Sequence, residues 1–424
     1  MSNANYSMGG VRYRWVVLLV AFLVHLTSIS LIWQAVSPLK KAMATDLGVP
    51  WADVAVVLAA IAFGLVFTQL PGGALGDKYP IRYVVGLGAV LAGVATAIRF
   101  AVPTLTGQIA VSIVATVGMG IVNPNLIKVV TEWFPSDQLG LGQGVLMAGN
   151  TLGIGVAFAL SGGIVLTAVG SWQRVFLLYG GITVAAGVLW LVFVRSPREE
   201  ERPTNVETGM PLRSGEGVPF RESVSSVLRS PSTPYALALI GLAYWSVLGS
   251  LAVLPEWADA QAYTVPEYML GTSPFASTMG ALFLPPLSDR YTRRLGLVLG
   301  ILGLSFGIII LAFAPLLPVF LIGLLVSGFF GGGLAAMFYI LPGELADIDP
   351  NHVGTMSGIL LSLGQVGSVV GSIVGAQTLA RYGLEVSVFV VAVPSLIGLL
   401  LFTRLHLDGR GQADPSGGAV PSTD

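Results

Sequence analysis

Long apolar runs separated by short polar turns cover nearly the whole chain. An α-helix rises about 1.5 Å per residue, so roughly 20 apolar residues cross the hydrocarbon core of a bilayer. Twelve runs fit that reading: 15–37, 52–76, 82–102, 107–131, 139–168, 173–195, 233–257, 266–288, 294–314, 317–341, 353–380 and 385–405. None shows the alternation of a barrel strand, and backbone in lipid has to satisfy its own hydrogen bonds. The pattern predicts an all-α integral membrane protein with twelve transmembrane helices, numbered here as spans 1 to 12. Span 1 is too long for a signal peptide and lacks a small-residue cleavage site, so it is read as a membrane span.

Residues 196–232 break the pattern with Arg, Glu, Pro, Ser and Gly, including Pro197-Arg-Glu-Glu-Glu-Arg202. They divide the chain into a first six-helix bundle (1–195), a polar linker (196–232) and a second six-helix bundle (233–408). A short interfacial helix is expected near Phe220–Leu228, and the Gly-, Pro- and Ser-rich tail 409–424 reads as disordered.

Composition agrees with a lipid-facing surface. Of 424 residues, 54% are hydrophobic and only 10% are charged, whereas soluble domains carry about 25% charged residues. The 54 glycines suit close helix packing in lipid. The absence of cysteine removes disulfides, thiol catalysis and thiolate metal ligation. A net charge of −1 gives no reason to expect a nucleic-acid partner. Of the 21 Lys and Arg, fifteen fall on the side holding both termini and the linker, five fall on the other, and Lys128 lies inside span 4. That bias places the termini and linker in the cytoplasm of a cell-membrane protein.

One short motif occurs twice, 212 residues apart. Gly73-Ala-Leu-Gly-Asp77-Lys78-Tyr-Pro-Ile-Arg82 follows span 2, and Pro285-Pro-Leu-Ser-Asp289-Arg290-Tyr-Thr-Arg293-Arg294 follows span 8. Trp33 and Trp245 share the offset of 212, while Gly140, Gly144 and Gly153 match Gly354, Gly358 and Gly367 at 214. These matches predict duplicated halves related by pseudo-symmetry around a central site.

Two turns of the form G-x-L-x-D-[RK]-x-x-x-R, after spans 2 and 8 of a 6 + 6 chain, resemble the major facilitator superfamily. The second copy has Pro285 in place of the first glycine. The resemblance covers nearly the whole chain. It implies alternating access by two rocking bundles, with a midplane site lined by spans 1, 4, 5, 7, 8, 10 and 11. In physical terms, Asp77 at a helix end is placed to cap the N-terminus of a neighbour, with span 11 the candidate. Lys78 and Arg82 are placed to pair with acids or lipid phosphates. Asp289, Arg290 and Arg294 hold the corresponding positions in the second half. The expected role of all six is gating.

Two departures count against multidrug efflux. The position where proton-coupled members often carry a span 4 arginine holds Val114, and Gly149-Asn150-Thr-Leu-Gly153-Ile154 lacks the proline and final glycine of the antiporter element. The segment from Lys128 to Pro135 resembles both the anion-porter branch and the branch of choline and haem-associated facilitators. Spans 2 and 8 lack the arginines that nitrate porters use, which counts against nitrate.

A polar side chain inside a span is costly and marks a candidate site. His25, midway along span 1, is read as a substrate contact or proton carrier, with a neutral structural histidine as the alternative. Trp33 and Gln34 lie two turns further on. Lys128 is a candidate counter-charge for an anion, or a lysine snorkelling to the interface. Asn123, Pro124 and Asn125 interrupt span 4 and either open its backbone to a ligand or simply kink it. Gln143 and Asn150 share a face of span 5, Gln365 lies in span 11, and Tyr244 and Trp245 face Trp33 by the repeat symmetry. Tyr339 in span 10 completes the set. Glu256 is more simply a solvated loop carboxylate.

These residues point to a secondary active or facilitative transporter, a symporter or uniporter, for one small polar solute. Lys128 and His25, with no deep acid opposing them, favour a small organic or inorganic anion. Trp33, Tyr244 and Trp245 support the alternative, an organic cation of the choline type. A channel or sensor would need a continuous polar lining, which the scattered polar positions do not supply. No catalytic constellation, nucleotide loop or metal-ligand spacing is present, so neither an enzyme nor a cofactor is expected. The expected partners are the solute, a proton or sodium ion as candidate coupling ion, and membrane lipid, with the chain acting as a monomer.

Overall fold

The computed structural model describes residues 8–198, 201, 220–260, 271–345 and 347–402. Ten helices among them are long and apolar enough to cross a membrane. They are Arg12–Gln34, Val56–Lys78, Ile81–Ala101, Leu105–Trp133, Leu139–Val169, Trp172–Phe193, Arg293–Ala312, Leu317–Glu344, Val353–Tyr382 and Leu384–Phe402. Helices Thr233–Ala260 and Thr272–Arg290 fill the places of spans 7 and 8. Span 8 is less apolar because it carries Ser273, Ser277, Thr278 and three prolines.

Packing repeats between the halves. Span 2 packs on 4, 3 on 4 and 6, and 1 on 5; in the second half 8 packs on 10, 9 on 10 and 12, and 7 on 11. The halves meet where span 2 packs on span 11 and span 5 on span 8.

Lipid offers little hydrophobic drive for helix association, so backbone proximity through small residues sets the contacts. The glycine ladders of spans 5 and 11 show this. A β-carbon at Gly73 would stand 2.1 Å from the Gly354 carbonyl oxygen, and one at Gly144 would stand 2.4 Å from that of Ala281. These contacts lie between halves, at the end of the bundle that carries Asp77 and Asp289. Further along, the same two helices turn to their own halves. Gly149 and Gly153 lie on the Phe22 and Leu26 carbonyls of span 1, and Gly367 and Gly371 on the Gly241 and Trp245 carbonyls of span 7.

Two local features depart from the sequence reading. Span 1 is not one regular helix, because a π-helical turn covers Leu26–Leu31 immediately after His25. Thr27 donates to the Leu23 carbonyl at 2.9 Å and Ser28 to that of Val24, a competition that widens the turn. Span 4, by contrast, is helical without interruption from Leu105 to Trp133, Pro124 included. Of the two readings of Asn123-Pro124-Asn125, an opened backbone is therefore not the one seen. A helix covers Phe220–Arg229, where the short linker helix is expected. Residues 202–219 and the tail 409–424 lie outside the described residues.

The close approach at Gly73 generates a prediction. Gly73→Val should hold the two halves apart at this end, lengthening the distance between spin labels on Lys78→Cys and Asn351→Cys in a chain otherwise free of cysteine. An unchanged distance would remove the packing argument.

Candidate functional site

Two carboxylates join the halves. Asp77 is fully buried at the end of span 2. Its Oδ2 accepts from the Thr355 backbone N–H at 2.7 Å and from the Thr355 hydroxyl at 2.5 Å, in the first turn of span 11. That helix has no side-chain cap of its own at His352, so Asp77 supplies acceptors to its orphan donors and a negative charge to its positive end. Span 5 likewise has no side-chain cap at Gln138. The two oxygens of Asp289 accept from the backbone N–H groups of Gly140 and Leu141, each at 3.1 Å. The first turns must be glycine here. A β-carbon at Gly140 would stand 2.4 Å from Asp289 Oδ1, and one at Gly354 would stand 2.6 Å from Asp77 Oδ1.

Each carboxylate also meets a cation of its own half. Lys128 Nζ lies 3.0 Å from Asp77 Oδ1, donates to the Gly76 carbonyl at 2.7 Å and approaches Glu132 at 3.9 Å. It is 2% exposed, so it neither snorkels nor reaches the central cavity, contrary to both sequence readings. Its long stem carries the charge across to span 2. In the second half the cation is Arg293, which pairs with Asp289 and with Glu344 at 2.9 Å. The motif residues Arg290 and Arg294 are exposed instead, because the first turn of span 9 turns Arg293 inward. Lys78 is exposed beside the Tyr79 ring, and Arg82 donates to the Leu191 carbonyl of span 6 at 2.5 Å.

A cavity of about 1120 Å³, open solvent included, lies between the halves. Trp33, Gln34, Asn123, Asn150, Tyr244, Tyr339 and Gln365 line it, together with the hydroxyls of Ser30, Thr151, Ser250, Ser273, Ser277 and Ser327. Among the described residues, no Asp, Glu, Lys or Arg lines it. Ser30 Oγ and Gln365 Oε1 are buried without a hydrogen-bond partner, leaving two polar atoms at the cavity for a ligand. Leu65 of span 2 and Leu304 and Leu311 of span 9 also contribute walls, beyond the seven spans expected.

His25 sits behind this lining, 0% exposed. Its Nδ1 lies 2.8 Å from the Leu146 carbonyl, and its Nε2 lies 3.2 Å from both Asn123 Oδ1 and Asn150 Nδ2. The Tyr339 hydroxyl donates to Asn123 Oδ1 at 3.1 Å, so one network joins spans 1, 4, 5 and 10.

Three further candidates lie away from the cavity. The Asn125 amide donates to the Gly72 carbonyl at 2.7 Å and ties span 4 to span 2. Gln143 donates to Ile127 O at 2.9 Å and ties span 5 to span 4. Trp245 is turned toward span 11, where its backbone meets Gly371, and does not share the cavity with Trp33. The side chain of Glu256 lies outside the described residues. Sequence reasoning passed over the lining hydroxyls and Arg293. The i,i+4 pairs Ser30/Gln34 and Ser273/Ser277 were the available signal for the former, since each places two polar groups on one helix face.

The family model of the Major Facilitator Superfamily matches residues 18–277 and 264–421. A protein named as a probable sulfoacetate transporter of Cupriavidus necator is 23% identical over 383 residues, covering 86% of this chain and 88% of its own length. The D-galactonate transporter of Escherichia coli O6:H1 is 24% identical over 384 residues, 85% and 88% of the two chains. Human sialin is 23% identical over 379 residues, 82% and 74%. Among solved structures, the human organic anion transporter MFSD10 superposes with a TM-score of 0.70 at 16% identity, covering 92% of this chain and 99% of the other. The proton:xylose symporter XylE gives 0.74 at 13% identity, covering 93% and 96%. With two pseudo-symmetric bundles meeting through paired carboxylate caps, this chain belongs to the Major Facilitator Superfamily and is a multi-pass membrane transporter.

Proposed function

We propose that the chain carries a small organic anion across the cell membrane by alternating access, with the Asp77 end facing the cytoplasm and shut in this structure. The observation that carries the substrate reading is the cavity lining, rich in hydroxyls and amides and, among the described residues, free of any carboxylate that would repel an anion. Relatives named for sulfoacetate, D-galactonate and hexuronate transport support it. Such a lining suits an acid that also carries hydroxyl or sulfonate oxygens, because each buried polar atom of the ligand needs a partner. An organic cation would find Trp33 and Tyr244 but, among the described residues, no acid. The Lys and Arg bias supports a cytoplasmic linker and cytoplasmic termini, and the chain functions as a monomer because one copy contains both halves of the pathway. The boundaries 1–195, 196–232 and 233–408 mark the moving halves and their connection.

In this reading Asp77 and Asp289 are the gate, held by Lys128 and Arg293, while the exposed Lys78, Arg290 and Arg294 meet lipid phosphates. Arg82 fixes span 3 to span 6.

A thermal-shift screen of the purified protein tests the substrate. A ligand that binds the folded state raises Tm by mass action. D-galactonate or sulfoacetate should raise it and choline should not; stabilisation by choline alone would overturn the anion reading. Gln365→Ala should weaken the stabilising anion about tenfold, the loss of one buried hydrogen bond to a charged or polar group. Asp77→Ala leaves the buried Lys128 with only the longer contact to Glu132, and breaking a buried pair costs about 3–5 kcal/mol in proteins. It should lower Tm and slow transport strongly, with Asp77→Asn combined with Lys128→Met recovering part of the stability. Lys128→Met alone should leave anion affinity within about threefold; a complete loss of binding would return Lys128 to the substrate site.

A further inference from the structure

An anion in this cavity faces an electrostatic problem. Burying a carboxylate or sulfonate without a positive partner is costly in a membrane protein, and among the described residues no Lys or Arg lines the cavity. Lys128 is engaged by Asp77. The other deeply buried cation of the first half, Arg99, is bonded to Ser112 at 2.6 Å and stacked on Phe176 at the far end of span 3. We infer that the counter-charge is a proton bound at Nε2 of His25, so that anion and proton enter the protein together as a neutral pair. This rests on the anion reading above.

The hydrogen bonds around the ring support the assignment. A carbonyl oxygen only accepts, so the 2.8 Å contact with Leu146 O puts a hydrogen on Nδ1 in every protonation state. Nε2 of the neutral ring is then a lone pair. The Asn150 amide donates to it at 3.2 Å, but Asn123 Oδ1, also at 3.2 Å, sets an acceptor against an acceptor. Protonation removes that conflict, because Nε2–H donates to Asn123 Oδ1. The same proton deprives the Asn150 amide of its acceptor. Asn150 lines the cavity, so its N–H groups turn to the anion when the positive charge arrives. One proton thus supplies a charge and a donor together. It is taken from water on the entry side and returned to water on the exit side, and no covalent bond of the ligand changes.

The surroundings leave His25 as the group that titrates. Span 4 presents Asn123, span 5 presents Asn150 and the Leu146 carbonyl, and span 10 presents Tyr339. From span 6, Tyr179 is bonded to Ser161, and Arg99 of span 3 is held as described. Among the described residues no carboxylate or cation pairs with the ring.

Calorimetry of the detergent-purified full chain tests the inference, with D-galactonate, sulfoacetate and a panel of related sugar acids and sulfonates as probes. Titration in two buffers of different ionisation heat gives the protons taken up per anion bound. About one proton per anion is expected above the pKa of the ring, with affinity weakening about tenfold per pH unit there. In His25→Gln the uptake should vanish and the remaining affinity should not depend on pH. In proteoliposomes, adding the anion outside should acidify the lumen for the native chain only. Anion binding by the native chain without proton uptake would overturn the inference whatever the variant does. Proton uptake persisting in His25→Gln would also overturn it by placing the proton elsewhere. If no anion of the panel binds, the anion reading itself falls, and this inference with it.

Discussion

The structure depends on a pair of carboxylates, Asp77 buried and Asp289 half-buried, each lent by one half to the helix end of the other. Helix N-termini leave backbone N–H groups unsatisfied, and inside a membrane protein that deficit must be met by the protein itself. Spans 5 and 11 have no side-chain cap of their own and receive one across the half-to-half boundary, from Asp289 and Asp77. Neither half is therefore fully satisfied alone at this end, so the contact is specific in register and in depth. Glycine at 140 and 354 follows from the same requirement, since the carboxylate oxygens occupy the space a side chain would take.

Charge is arranged with equal economy. Among the described residues, the fixed charges buried in the first half are Asp77, Lys128 and Arg99, and the first two pair with each other. What is left at the cavity is a set of neutral dipoles around one imidazole. A cavity of that kind holds no permanent preference for either sign of ligand. The proton we infer at the imidazole would supply one, tying selectivity for an anion to the presence of that proton.

Much of this was legible in the chain, and the reasons are physical. Twelve spans follow from hydropathy, because a bilayer imposes one length and one composition on every crossing helix. The link between Asp77 and span 11 was readable because a carboxylate at a helix end needs a donor-rich partner and the repeat offers few. The role of Lys128 was not. Its partner Asp77 lies 51 residues away in the chain, and a lysine stem reaches far enough to make burial, snorkelling and ligand contact indistinguishable from spacing alone. Asn125 and Gln143 fail similarly, because an amide bonding a neighbouring helix and an amide facing a ligand look identical in one sequence. The π-helical turn at Leu26–Leu31 rotates Trp33 and Gln34 relative to His25, so a regular helical wheel misplaces the two ends of span 1 against each other. Choosing Arg294 over Arg293 is an error of the same kind, a single residue of rotation in a first turn.

The chemistry of the caps has a consequence for turnover. The hydrogen bonds that join the halves at this end run between a carboxylate and either a backbone amide or a hydroxyl, and all of these are groups that water solvates well. Separation would expose them to the aqueous phase, where each lost bond is replaced at a small net free-energy difference, about 1 kcal/mol for a typical pair. An apolar seal of the same area would lack that replacement and would hold one conformation almost permanently. A wettable lock instead keeps its shut and parted forms nearly level in free energy, which is what a carrier needs in order to visit both faces of the membrane at comparable rates.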